Sequence, residues 1–241
     1  MRYGIFSDVH GNLEAFSEAI IRFRALKIDR YIFLGDIVGY GANPKETISL
    51  LKEIRSINVA GNHDWACVDK FDIKYFNDYA KEAILWTKSV LGEEDRSFLL
   101  SLSLVYEEGD FVCVHGNLWQ PHEFRYVTNY DDAKLLFSIL RKHICFIGHS
   151  HRMEGYVLKR GEIRRLQQKE VSLDKENRYI FNVGSVGQPR DGKSMGCICV
   201  YDSKEQLVTF VRFGYDINEA SNKIIKAGLP SFLGQRLYLG K

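Results

Sequence analysis

Five times in this chain an apolar run ends on residues able to bind a metal ion. Ile5-Phe-Ser leads into Asp8-Val-His10, Tyr31-Ile-Phe-Leu into Gly35-Asp36, and Asn58-Val-Ala into Gly61-Asn62-His63-Asp64. Phe111-Val-Cys-Val leads into His115-Gly116, and Ile144-Cys-Phe-Ile into Gly148-His149-Ser150-His151. Five of the seven histidines belong to these blocks. Imidazole and carboxylate without thiolate suit Mn, Fe, Zn, Co or Ni and disfavour a structural zinc cage. In an Asp-x-His or His-x-His just past a strand end, two side chains can reach the same metal pair. One buried histidine usually needs no more explanation than a hydrogen bond, but five in such blocks do. His122 and His143 lie outside the blocks and are expected on loops or the surface.

The elements that must position these blocks are readable from periodicity. Arg2 to Ser7 is a short apolar strand, and Leu13, Phe16, Ile20 and Phe23 then mark a helical stripe. Asn12 is placed to cap that helix. Tyr31 to Leu34 is the next strand, and Asn43-Pro44-x-Glu46 is a helix start in which Asn caps and Glu46 reaches back. Ile57 to Ala60 is a third strand. Such strand–helix–strand units predict right-handed crossovers and a parallel sheet, with ligands gathering at the strands' C-terminal ends.

A mainly helical stretch runs from about Asn77 to Leu102, and beyond it strands dominate. Leu104 to Tyr106 and Phe111 to His115 flank a turn, as do Tyr156 to Lys159 and Glu162 to Leu166. A helix from about Asp131 to Arg141 precedes Ile144 to Ile147. The polar stretch Gln167 to Arg178 is expected as a surface loop. Tyr179 to Val183, Gly196 to Tyr201 and Leu207 to Phe213 complete the strands. The expectation is one domain over residues 1–241, an α/β fold built as a two-sheet αββα sandwich. Residues 1–151 bear the ligands, and 152–241 supply a strand-rich second half and a C-terminal helical tail.

Composition narrows the class. The 241 residues are 45% hydrophobic and 27% charged, an ordinary globular balance. A net charge of +2 gives no footprint for bulk nucleic-acid binding. The longest apolar run, Cys197 to Tyr201, is five residues, far too short to span a bilayer, and the segment before Asp8 is too short for a signal-peptide core. The five cysteines read as structural thiols in a reducing compartment, so a soluble cytoplasmic protein is expected.

Asp-x-His, Gly-Asp, Gly-Asn-His-Asp, His-Gly and Gly-His-x-His, in that order, resemble the calcineurin-like metallophosphoesterase superfamily. The spacing agrees, with 28 residues from Asp8 to Asp36 and 26 from Asp36 to Asn62, each one crossover. The resemblance implies two adjacent divalent transition-metal ions, Mn first, with Fe, Zn, Ni or Co also admitted. Asp8, His10, Asp36 and His151 would hold one; Asp36, Asn62, His115 and His149 would hold the other, with Asp36 bridging. A water between two cations loses its proton near neutral pH and can attack phosphorus in line. The resemblance places His63 against the substrate, where an imidazolium could stabilise charge or protonate the leaving oxygen. Asp64 could orient His63 or cap the helix that follows.

Departures separate subfamilies. Gly35-Asp-Ile-Val-Gly-Tyr-Gly41 has Gly39 and Tyr40 where protein Ser/Thr phosphatases carry Arg-Gly. The chain therefore resembles the small, stand-alone prokaryotic phosphoesterases, and the source of a carboxylate behind His63 stays open. Asn182-Val-Gly-Ser-Val-Gly-Gln-Pro-Arg-Asp191 also resembles those proteins and either brings Arg190 to a substrate phosphate or forms a solvated loop. Tyr40, Asn43, Trp119, Arg125 and Tyr126 either pack or frame a leaving group such as a nucleoside. The expected activity is hydrolysis of small phosphomonoesters or phosphodiesters. A nuclease and a non-catalytic interaction scaffold are the alternatives, the latter opposed by an intact ligand set. Leu229 to Lys241 could pack on its own chain or on a partner, leaving the oligomeric state open.

Overall fold

The computed structural model describes residues 1–241. The first half alternates β1 (Arg2–Phe6), α1 (Leu13–Ala25), β2 (Arg30–Phe33), α2 (Pro44–Glu53), β3 (Ile57–Asn58) and α3 (Asn62–Ala66). Then come α4 (Asp78–Val90), α5 (Glu93–Ser101), β4 (Val105–Glu108), β5 (Phe111–Val114), α6 (Tyr130–Ile139) and β6 (Ile144–Ile147). The remainder is β7 (Met153–Lys159), β8 (Glu162–Leu166), β9 (Glu170–Ser172), β10 (Arg178–Val183), β11 (Gly196–Asp202), β12 (Leu207–Phe213), α7 (Ile217–Lys226) and α8 (Ser231–Leu239).

Two six-stranded sheets result, in the orders β3-β2-β1-β11-β12-β9 and β4-β5-β6-β10-β7-β8. The expected parallel pairing holds for β1, β2 and β3, and β5, β6 and β10 are also parallel. The other strands pair antiparallel, so both sheets are mixed. β11 lies antiparallel against β1, with Ile5 opposite Cys199, which brings the far end of the chain beside the first strand.

Side-chain alternation explains the layers. Tyr3, Ile5, Phe111, Phe146, Phe181 and Tyr201 face inward and form the core between the sheets. The opposite face of the first sheet presents Phe6 and Phe33 to Phe16, Phe23, Ile48 and Leu51 of α1 and α2. The outer face of the second presents Val112, Val114 and Ile180 to Leu136 and Phe137 of α6. Helix, sheet, sheet and helix thus stack as the expected αββα sandwich. All five cysteines are buried and unpaired, Cys197 and Cys199 together on the inter-sheet face.

Asn12 Oδ1 accepts the Ala15 N–H at 3.0 Å, the expected cap of α1. Two local expectations change, and one left open is resolved. Pro44 opens α2, but the Asn43 side chain makes no capping bond. The Thr47 hydroxyl donates to the Asn43 and Pro44 carbonyls instead, at 3.0 Å each. The stretch Gln167 to Arg178 is not all loop, because Val171 is buried and β9 pairs with β12. The tail packs on its own chain, where Leu233 and Leu237 of α8 meet Ala220 and Ile224 of α7 and Ala80 and Ala83 of α4.

Candidate metal centre and substrate cavity

The five blocks converge because both sheets direct the C-terminal ends of β1, β2, β3, β5 and β6 to one edge of the sandwich. The side chains of Asp8, His10, Asp36 and His151 bring donor atoms within 4.8 Å of one another, and so do those of Asp36, His115 and His149. Asp36 belongs to both groups. Its Oδ2 lies 3.3 Å from His115 Nε2 and 3.6 Å from His10 Nε2. Asp8 Oδ1 lies 3.3 Å from His151 Nε2. All six side chains are buried, with Asn62 beside them.

The backbone is bent to achieve this. Asp8, His10, Asp36, His149 and His151 all have φ between 52° and 67°, a left-handed conformation that non-glycine residues rarely adopt. Such strain persists only where the surroundings enforce it, and it concentrates at functional sites. Gly61 is required for a different reason, since a Cβ there would lie 2.0 Å from Asp36 Oδ1.

Backbone carbonyls set the imidazole tautomers. His10 Nδ1 lies 3.0 Å from Val38 O, His115 Nδ1 2.7 Å from Leu34 O, and His151 Nδ1 2.6 Å from Gln188 O. A neutral ring donating from Nδ1 presents an unprotonated Nε2, the state in which imidazole ligates metals. His10 and His151 then face each other Nε2 to Nε2 at 3.2 Å, lone pair toward lone pair. His115 Nε2 meets His149 Nδ1 at 3.1 Å. Asp8 Oδ1, Asp36 Oδ2 and Asn62 Oδ1 are buried with no hydrogen-bond donor. Clustered acceptors without donors are costly unless a cation sits among them, so the residues present fit metal ions.

The electrostatics agree for three of the four histidines. Burial drives His10, His149 and His151 well below the usual histidine range. Burial also opposes a charge on His115, but Asp36 and then Asp8 push it up to about 9. Asp36 is held below the usual carboxylate range: burial favours its neutral form, and His115 and His63 outweigh that. Asp8 is pushed up to about 7, chiefly by burial, with His115 opposing the shift and Asp36 adding to it.

Asp64 does not hydrogen-bond to His63. Its carboxylate accepts the N–H groups of Gly61, Asp36, Ile37 and Val38 at 3.0, 2.8, 2.9 and 3.3 Å. It caps α3, as one of its two expected roles required, and also pins the loop after β2. No carboxylate reaches the His63 side chain either. Gly39, with φ of +87°, packs against its Nδ1, where a Cβ would come within 2.4 Å. The rings of Tyr40, His10 and Phe76 surround His63 at 4.5 to 4.8 Å. Burial, opposed by Asp36, brings His63 down to about 4.

A cavity of about 740 Å³ opens on the cluster. Asp36, Asn62, His63, His149 and His151 form its floor, and Tyr40, Arg125, Tyr126 and Arg190 line it as well. Tyr126 stacks on His149 at 3.8 Å, and the Arg190 guanidinium lies 5.5 Å over the Tyr40 ring. Asn43 and Trp119 are outside it. His122, expected on a loop or the surface, is exposed and lines the wall. His143 is remote, with Nε2 3.1 Å from Asp174 O. Sequence reasoning missed the aromatic wall of Trp65, Phe71, Phe76 and Phe124, whose edge-to-face contacts run from 5.2 to 5.8 Å. Its only signal was the density of aromatic residues from Trp65 to Phe76.

Comparison with known proteins supplies the family. Residues 1–206 match the calcineurin-like phosphoesterase superfamily domain. An uncharacterized protein of Methanocaldococcus jannaschii is 38% identical over 98% of this chain and 97% of its own length. The crystal structure of a metallophosphoesterase from Sphaerobacter thermophilus matches with a TM-score of 0.87 at 36% identity, covering 100% of this chain and 99% of that one. A protein from Pyrococcus horikoshii shares the fold at a TM-score of 0.81 and 18% identity, over 100% and 98% of the two chains. With its ordered blocks, its two-sheet sandwich and these relatives, the chain belongs to the calcineurin-like phosphoesterase superfamily.

Proposed function

We propose that this protein hydrolyses small phosphomonoesters or phosphodiesters, nucleotides among them, with two divalent transition-metal ions. The observation that carries this reading is the pair of donor groups sharing Asp36, in which buried carboxylate oxygens lack any hydrogen-bond donor. Asp8, His10, Asp36 and His151 would hold one ion, and Asp36, Asn62, His115 and His149 the other. Manganese is the first expectation, and iron, zinc, nickel and cobalt suit the same donors. Bound there, the ions would supply an activated water and neutralise phosphoryl oxygens.

The chain supplies the rest. His63 lines the cavity and, brought down to about 4, is neutral at pH 7. It would donate a hydrogen bond to the leaving oxygen, rather than carry the positive charge of an imidazolium. Asp64 acts as a positioning residue, since it grips the backbone that carries Asp36. Arg190 and Tyr40 would meet the substrate's phosphoryl oxygens, which a guanidinium matches in pairs. We also take residues 1–241 as one domain, because both sheets share one core. A reducing cytoplasm suits its five unpaired cysteines, and no helix is long and apolar enough to cross a membrane.

The test is hydrolysis of p-nitrophenyl phosphate beside bis-p-nitrophenyl phosphate by metal-reconstituted protein, with Asp36→Asn and His63→Ala as controls. Diester turnover lost in both variants supports a phosphodiesterase, and monoester turnover alone supports a phosphatase. Protein that holds two metals and turns over neither ester would refute a general phosphoesterase.

A further inference from the structure

A second cavity, of about 500 Å³, shares Arg190 with the first. Five cationic side chains from separate parts of the chain meet in its wall. Arg152 comes from the turn between β6 and β7, Arg165 from β8, Arg190 and Lys193 from the loop between β10 and β11, and Arg212 from β12. Two carboxylates, Glu154 and Asp191, oppose them. The lining therefore carries a net charge of +3, against +2 for the entire chain.

Both carboxylates are already engaged. Arg165 pairs with Glu154, whose side chain is only 2% exposed, and Arg212 pairs with Asp191. These pairs hold two guanidiniums in place, leaving Arg152, Arg190 and Lys193 without a carboxylate. The Nε atoms of Arg190 and Arg212 are buried with no acceptor. Like charges gathered in a concave wall repel one another, and a multivalent oxyanion would relieve that repulsion while filling the open donor positions.

We propose that this basic cavity binds a phosphoryl or polyphosphate anion, distinct from the phosphoryl group at the Asp–His cluster. The loop between β10 and β11 joins the two places. Gln188 O accepts from His151 Nδ1, the Arg190 N–H donates to His151 O at 3.1 Å, and Asp191 anchors Arg212. The anion is the far end of a substrate with two phosphoryl groups or a free effector, and both present the same oxygens to the same cations. The first source rests on the phosphoesterase reading; the site itself does not.

Calorimetric titration of the metal-free protein with tripolyphosphate is expected to show a saturable site. Its affinity should fall about tenfold or more in Arg152→Ala/Lys193→Ala, which removes two exposed cations that hold no ion pair. Lys204→Ala/Lys226→Ala removes the same charge elsewhere on the surface and should leave affinity within about twofold. No binding by the unmodified protein, or equal loss in both double variants, overturns the proposal. Tripolyphosphate is then added to metal-loaded protein turning over bis-p-nitrophenyl phosphate at fixed free Mn²⁺. Competitive inhibition supports the substrate's far end, and a change in kcat at constant KM supports a free effector. Absent turnover with intact calorimetric binding refutes the phosphoesterase reading and supports the site. Turnover without that binding does the reverse.

Discussion

Asp36 and Asp64 each hold the backbone that carries the other. Asp64 Oδ2 accepts the Asp36 N–H at 2.8 Å, and Asp36 Oδ1 accepts the His63 N–H, one residue before Asp64, at 2.8 Å. The carboxylate common to both donor groups is thereby fixed with one oxygen on the backbone and the other, Oδ2, without a hydrogen-bond donor. Asp64→Asn tests this interlock. An amide has only one acceptor oxygen, so its NH₂ would confront two of the four N–H groups. The expected cost is about 2–4 kcal/mol of stability, together with weaker metal retention, read by thermal unfolding and metal analysis. A variant with unchanged melting and full metal content would show that the interlock is dispensable.

Gly39→Ala separates His63 from the metal donors. The positive φ and the encroachment on His63 Nδ1 are expected to cost about 1–3 kcal/mol and to displace the ring. Turnover should fall about 10²-fold while the protein still binds two metal equivalents. Equal losses of metal and activity would place the effect on the cluster instead.

Removing metal should destabilise the chain, because the donors are buried and under-satisfied. Free Mn²⁺ at ~100 times its Kd is expected to add about 2.7 kcal/mol to the folded state, and chelation to remove it. The midpoint of thermal unfolding, followed with and without chelator, checks this. A midpoint indifferent to metal would mean that the folded chain does not bind the ions preferentially.

Asn12→Ala probes how the first turn of α1 supports the site. Asn12 caps that helix and also donates from Nδ2 to Gly187 O at 2.8 Å, in a loop whose Gly187 N–H holds Asp8 O. Loss of the cap costs about 1 kcal/mol, and an unpaired Gly187 carbonyl adds about as much again. Urea unfolding should show a lower midpoint at unchanged slope.

The donor set was legible because metal chemistry restricts residue type and because each block follows an apolar strand. Strands β1, β2, β5 and β6 were legible for the same reason: buried on both faces, they read as continuous apolar runs. What escaped was set by distant partners. Nothing local in Gly196 to Asp202 says that β11 lies against β1, and β9 offers only Val171 to the core. Asp64 looked like a helix cap or a partner for His63; its grip on Asp36, Ile37 and Val38 depends on a loop 26 to 28 residues away. The aromatic wall of Trp65, Phe71, Phe76 and Phe124 is assembled from two stretches far apart in sequence, so periodicity gave it no chemical meaning. The basic cavity was hidden because its five cations are scattered between Arg152 and Arg212, and only the folded sheets bring them together.

The donors come from both layers: Asp8, His10 and Asp36 follow strands of one sheet, and His115, His149 and His151 follow strands of the other. Ions held among them would act as rivets through the sandwich, resisting the separation of its halves. Slippage between the sheets would have to break coordination before it exposed the shared core. The holoprotein should therefore outlast the apoprotein in unfolding half-life and in resistance to proteases that cut only opened chains.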